Sequence, residues 1–193
     1  TFIYLISGII APDDGKIVID DVSLNTLNTS NWQSQIGYVR HNNFFIDGTI
    51  IENITLCDDI QQVDKMQLDS AIKNASLTSF IENIPGGLSS RMGESGVKLS
   101  EGQKQRIAIA RCLYKNASLI IFDEATSAID ITTEEEILEN LKQLSSLGKT
   151  IIIISHKAST LSICNDILFL KDQKIVKVDQ PKEFLNNLQV ALQ

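Results

Sequence analysis

Leu99-Ser100-Glu101-Gly102-Gln103-Lys104-Gln105-Arg106 and, further on, Leu119-Ile120-Ile121-Phe122-Asp123-Glu124 decide the fold. The second stretch is a continuous apolar run closed by two carboxylates. Such a run predicts a strand covered on both faces, as in a parallel sheet. Ile151-Ile152-Ile153-Ile154, closed by Ser155-His156, repeats the pattern. Between the two runs lies a polar helix rich in glutamate (Glu134, Glu135, Glu136, Glu139). Strand, helix and strand in this order predict an α/β core with a mostly parallel sheet. The first stretch opens a helix. Ser100 and Gln103 have the spacing of a capping box, and Ile107, Ala110 and Leu113 continue it with an apolar face.

Outward from this centre, Phe2, Ile3, Leu5, Ile6, Ile9 and Ile10 predict a buried helix ending near Gly8, with Pro12 beyond it as a stop signal. Gly15 to Asp20 reads as a turn and a strand, and Ile36-Gly37-Tyr38-Val39 as another strand. From residue 41 to about 90 the character changes. Polar stretches alternate with helical periodicity (Leu68, Ile72, Ala75, then Phe80-Ile81) until a Pro85-Gly86-Gly87 break. This predicts an inserted α-helical subdomain over 41–104, within a core formed by 1–40 and 105–193. Ile167 to Leu170 and Ile175 to Val178 read as a hairpin, and the tail from Pro181 as a short surface helix.

With 193 residues, the chain is long enough for one domain with a substantial core. Hydrophobic residues make up 43% and charged residues 21%, ordinary for a globular protein. The net charge of −7 argues against a nucleic-acid binder, which needs clustered Lys and Arg. Cys57, Cys112 and Cys164 have no metal-ligand or CxxC spacing, which favours reduced thiols in the cytosol. No apolar run approaches the ~18–20 residues of a membrane span, and no stretch of these 193 residues reads as a signal peptide. The chain begins in mid-pattern without Met, as a piece of a longer protein would.

In open α/β sheets, ligands bind beyond the carboxyl ends of the strands. Asp123-Glu124 and Ser155-His156 occupy those positions. One of two adjacent carboxylates can hold a hard cation such as Mg²⁺, and the other can polarise an attacking water. Taken alone, such a pair is more often a solvated strand end. The helix opened by Ser100 presents unpaired N–H groups and partial positive charge, suited to phosphate. Gly102 leaves room there for a close approach.

Together these segments resemble the nucleotide-binding domain of ATP-binding cassette (ABC) transporters, over essentially the whole chain. Leu99 to Gln103 matches the family signature LSGGQ except at Glu101. Leu119 to Glu124 resembles the Walker B strand, Ser127-Ala128-Ile129-Asp130 the D-loop, and His156 the switch histidine. Gly93-Glu94-Ser95-Gly96 is similar to the X-loop of exporters. Tyr38-Val39, Phe44, Gly48-Thr49-Ile50 and Glu52-Asn53-Ile54 are similar to exporter sequence around the Q-loop. The resemblance implies a P-loop NTPase (RecA-like) fold, ATP and Mg²⁺ as ligands, and an active site shared between two such domains. On that likeness, Asp123 orients Mg²⁺ through water, Glu124 is the general base, and His156 contacts the γ-phosphate. Ser100, Glu101, Gly102 and Gln103 serve the partner's ATP, while Glu94 and Asp130 couple the halves. Two of these positions have plainer readings: His156 as a core histidine, and Asp130 as a helix N-cap.

Three departures from the family pattern matter. Counting back from Ser7-Gly8, Thr1 aligns with the last hydroxyl residue of the phosphate loop, so the loop's lysine is expected upstream. At the Q-loop, Val39-Arg40-His41 replaces Val-Pro-Gln. Imidazole suits Mg²⁺ poorly. Either His41 positions the attacking water by a hydrogen bond, with activity falling as it protonates, or the position has drifted and hydrolysis is slow. Glu101 faces a site meant for phosphate, so its side chain is expected to turn outward.

The function implied is the ATPase domain of an exporter of an amphipathic or lipid-linked substrate, at the cytoplasmic face of a membrane. Its expected partners are a second ABC domain, in a homodimer or heterodimer, and a transmembrane domain fused upstream. Trp32 ahead of the Q-loop strand resembles exporters of lipid-linked oligosaccharides. The alternatives are a soluble ABC ATPase or a nucleotide-binding regulatory module with little catalysis.

Overall fold

The computed structural model describes residues 1–24, 28–93, 97–172 and 174–178. Three strands form a parallel sheet in the order β3 (Ile36–Val39), β4 (Leu119–Asp123) and β5 (Thr150–Ile154). Two antiparallel hairpins flank it in sequence, β1 (Val18–Ile19) with β2 (Val22–Ser23), and β6 (Ile167–Lys171) with β7 (Lys174–Val178). The expected α/β architecture with a parallel core is therefore present. The tail from Pro181 lies outside the described residues.

The period-2 alternation of the strands sends side chains to two different cores. Ile36, Leu119 and Ile121 face one way and pack with Ile3 of α1 (Phe2–Ile6), bordered by Trp32 and Tyr38. Val39, Ile120 and Phe122 face the other way, against α6 (Glu101–Tyr114) and α7 (Ile131–Ser146). β4 lies between its neighbours and is buried along its apolar run. β5 is only half-buried over its four isoleucines, because it has one pairing neighbour among the described residues. At Gly37 an added Cβ would lie 2.5 Å from Cys112 Sγ, so β3 and α6 meet where a side chain is missing. Burial pushes the Cys112 thiol up to about 12, leaving it an inert packing group.

The first helix is shorter than its hydrophobic pattern. It ends at Ile6, and Ile9 and Ile10 are exposed. Gly8 takes φ +67°, its N–H donates to Leu5 O at 3.0 Å, and the Ile9 N–H donates to Tyr4 O at 2.9 Å. These are the two bonds of a Schellman stop, which turns the chain before the last apolar pair reaches the core. Trp32, in α2 (Thr29–Ser34), donates from Nε1 to Ile6 O at 2.8 Å. Its place is therefore explained by packing α2 onto α1.

Between β3 and α6 run α3 (Ile50–Thr55), α4 (Lys65–Asn74) and α5 (Thr78–Asn83). Thr49 and Glu52 close a capping box at α3, and Asp64 caps α4. Ile50, Ile54, Leu68 and Ile72 pack on α6 in a cluster that continues into the sheet. No helix of the described residues is long and apolar enough to cross a membrane.

Candidate functional site

The carboxyl ends of β4 and β5 bring together the acids and the histidine singled out in the sequence. Asp123 is the last residue of β4 and pairs in register with Ile154. Glu124 follows with φ +51°, a left-handed conformation that is uncommon for a residue with a side chain. Its N–H donates to Ile154 O at 3.1 Å. That turn ends the strand and re-aims the Glu124 carboxylate. His156 Nε2 comes within 3.4 Å of Glu124 Oε1. The His156 side chain is 91% exposed and that of Glu124 48% exposed, so His156 is not a core histidine.

Tyr38, given no site role by the sequence, completes this corner. Its hydroxyl donates to Asp123 Oδ2 at 2.7 Å. Burial first, then the bond to Asp123, pushes the phenol up to about 12, so it remains a donor at neutral pH. The Arg40 guanidinium lies 5.4 Å from the Tyr38 ring and 5.8 Å from that of Tyr4, and donates to the Tyr4 hydroxyl at 2.5 Å. The sequence signal was the alternation of β3, which places Tyr38 on the face of Ile36. Its bond to Asp123 spans 85 positions and has no local signature.

His41 does not stand alone. Its Nδ1 is 2.8 Å from Ser127 Oγ, and that oxygen accepts from Gln105 Nε2 at 3.1 Å. The Oε1 of the same Gln105 accepts from the Ala128 N–H at 3.0 Å. The segment after β3, the helix α6 and the loop after β4 are thus tied through one buried glutamine.

At the start of α6 the capping box is fully formed. Gln103 N–H donates to Ser100 Oγ at 3.2 Å, and Ser100 N–H to Gln103 Oε1 at 2.8 Å. Glu101 turns outward to Lys104, 2.8 Å away and exposed. Gly102 has a closer neighbour than the phosphate anticipated from the sequence. A Cβ there would meet Ala128 O at 2.7 Å. Asp130 caps α7 through the Thr133 N–H at 3.0 Å, which holds its carboxyl below the usual range. Thr1 is exposed and precedes α1, its carbonyl accepting from the Leu5 N–H at 3.1 Å. Glu94 lies outside the described residues.

Among the described residues, no group of three or more His, Cys, Asp or Glu gathers to hold a metal. The hard oxygens of Asp123 and Glu124 instead suit Mg²⁺ held by one or two carboxylates together with substrate phosphates.

A model of the ABC transporter family matches residues 1–127. The ATP-dependent lipid A-core flippase of Ralstonia nicotianae is 34% identical over 187 residues, covering 96% of this chain and 31% of the flippase. The alpha-hemolysin translocation ATP-binding protein HlyB of Escherichia coli is 38% identical over 187 residues, covering 96% of this chain and 26% of HlyB. The solved structure of a bacterial Atm1-family ABC exporter with ATP bound superposes with a TM-score of 0.85 at 31% identity. That match covers 98% of this chain and 34% of the exporter chain. The chain thus spans about a third or less of each of these relatives.

Proposed function

The chain belongs to the ABC transporter family, and from that premise we propose that it is the ATP-hydrolysing part of an exporter for an amphipathic or lipid-linked substrate. The observation that carries this reading is the corner formed by Asp123, Glu124 and His156, with Glu124 and His156 3.4 Å apart. Glu124 takes the proton of the attacking water, and its half-exposed carboxylate is open to that water. His156 contacts the γ-phosphate. Asp123 would hold Mg²⁺, and Tyr38 limits the rotation of that carboxylate by donating to Oδ2. Mg²⁺, when bound, neutralises phosphate charge. Thr1 borders the phosphates of the chain's own nucleotide.

Ser100, Glu101, Gly102 and Gln103 meet the nucleotide of a second ABC domain. The capping box engages the N–H groups of Ser100 and Gln103, so those of Glu101 and Gly102 remain for phosphate oxygens. The outward turn of Glu101 keeps its charge from that anion. We read 41–104 as a helical subdomain bearing the Q-loop, X-loop and signature, on a core of 1–40 and 105–193. Asp130 and Glu94 couple the two halves. A transmembrane domain in the same protein places the chain at the cytoplasmic face of a membrane.

Phosphate release measured on the natural protein tests this reading. Mg²⁺-dependent ATP turnover is expected, whereas residues 1–193 alone, which contain no GKST-type loop, are expected to stay at background. Turnover by residues 1–193 alone would refute the need for an external phosphate loop.

His41 calls for a separate test. Its Nδ1 is engaged by Ser127, which supports a position that has left the ligand sphere of Mg²⁺. Changing His41→Gln restores an oxygen ligand and is expected to raise turnover several-fold. An unchanged rate in the same assay would sink this account of His41.

A further inference from the structure

We propose that Glu134 and Lys157 form a positioning pair that sets the separation of Glu124 and His156. The inference rests on the catalytic reading of those two residues given above. Neither side chain is packed tightly enough to fix its own place, since His156 is 91% and Glu124 48% exposed. Their separation must therefore be set by the loops that carry them. A single buried carboxylate is bonded to both loops.

Glu134 lies one turn into α7 and is 5% exposed. A buried carboxylate persists only when its oxygens are satisfied. Oε1 accepts from Thr126 Oγ1 at 2.6 Å and from Thr160 Oγ1 at 3.4 Å. Oε2 accepts from Lys157 Nζ at 2.8 Å. The same ammonium donates to Thr126 O at 3.2 Å. Thr126 is two residues after Glu124, and Lys157 is the residue after His156. Thr160 lies in the short helix α8 (Ala158–Leu161). Lys157 is 42% exposed, but the Glu134 end is buried and its bonds are charge-assisted, which makes them directional. This pair therefore locks the loop after β4 to the loop after β5 directly behind the reacting groups.

Removing Lys157 loosens the register of both loops and leaves the buried Glu134 carboxylate without its cation, while Thr1 and the start of α6, proposed above to meet nucleotide, are not bonded to this pair. Displacing a reacting group by about 1 Å typically costs about 10²-fold in rate. In the natural protein, Lys157→Met is expected to lower kcat at least tenfold and up to about 10²-fold. Nucleotide affinity, measured by equilibrium binding, should stay within about twofold, and Lys157→Arg should recover most of the turnover by restoring a donor to Oε2. Glu134→Gln keeps the side-chain volume and serves if Lys157→Met does not fold; the same split is expected.

Unchanged kcat in both variants overturns the proposal. So does a fall of affinity in step with kcat, which marks a merely structural pair; some loss of melting temperature is expected either way, because Glu134 loses its cation. Glu124→Gln, run alongside, separates the two levels. If it retains parental turnover, the catalytic reading itself fails. If it is inactive while Lys157→Met is unaffected, only the positioning role fails.

Discussion

Glu124→Gln is expected to reduce ATP turnover by about 10²–10⁴-fold, the usual weight of general-base assistance, with nucleotide binding preserved. The amide keeps the size of the carboxylate but has no basic oxygen to take the proton of water. It also keeps an acceptor for His156, now 3.4 Å from Glu124 Oε1, so the histidine has no reason to leave. Binding should survive because the groups proposed to hold phosphate lie elsewhere in the chain. Phosphate release at saturating Mg-ATP, set beside equilibrium nucleotide binding, reads the two quantities separately. A loss of less than tenfold would remove Glu124 from the role of base. A loss of binding as large as the loss of turnover would make it a ligand-holding residue instead.

The second large effect is on stability. Arg111 is expected to be the most costly polar truncation in α6. Its Nε donates to Asn53 O at 2.6 Å, Nη2 to Asn53 Oδ1 at 3.2 Å, and Nη1 to Phe44 O at 2.7 Å. The guanidinium lies 5.0 Å from the Phe45 ring. Burial pulls its pKa below the ordinary arginine value, but guanidinium stays charged at neutral pH. Asn53 is itself buried and occupied on its other side. It accepts from Ile46 N–H at 2.9 Å and donates to Ile46 O and Thr49 O, each at 3.0 Å. Arg111→Ala leaves the Asn53 main-chain carbonyl without a donor, at roughly 1–3 kcal/mol for a buried group, and takes one of the two bonds from Asn53 Oδ1. A total near 3 kcal/mol corresponds to a fall in melting temperature of roughly 10 °C for a domain of this size. Calorimetry on the purified protein measures it, and a shift under about 2 °C would show that water replaces the guanidinium without penalty. Because these bonds anchor residues 44–46, the segment just after His41 should lose amide-exchange protection before the sheet does.

What the sequence makes legible is what depends on near neighbours. The Ser100–Gln103 box, the apolar strands and the Asp130 cap each need only a few consecutive residues, and all form as expected. The positions of Asp123 and His156 follow from a general rule about strand ends. The remaining features depend on residues far apart in the chain. Glu134, Glu135 and Glu136 are indistinguishable in a polar run, yet only the first is buried, because α7 turns it toward Thr126 and Lys157. Tyr38 and Asp123 are 85 positions apart, and His41 and Ser127 are 86 apart. The stop of α1 near Gly8 is legible too, but Ile9 and Ile10 beyond it are exposed, because the turn at Gly8 carries them away from the core.

The contact at Gly102 has a mechanical consequence. Between the start of α6 and the Ala128 carbonyl there is no space for even a methyl group. The N–H of the same Ala128 is gripped by Gln105. The two parts therefore mesh without backlash, like teeth of adjacent gears. A shift of the start of α6 toward Ala128 has no slack to absorb it and pushes directly on the loop after β4.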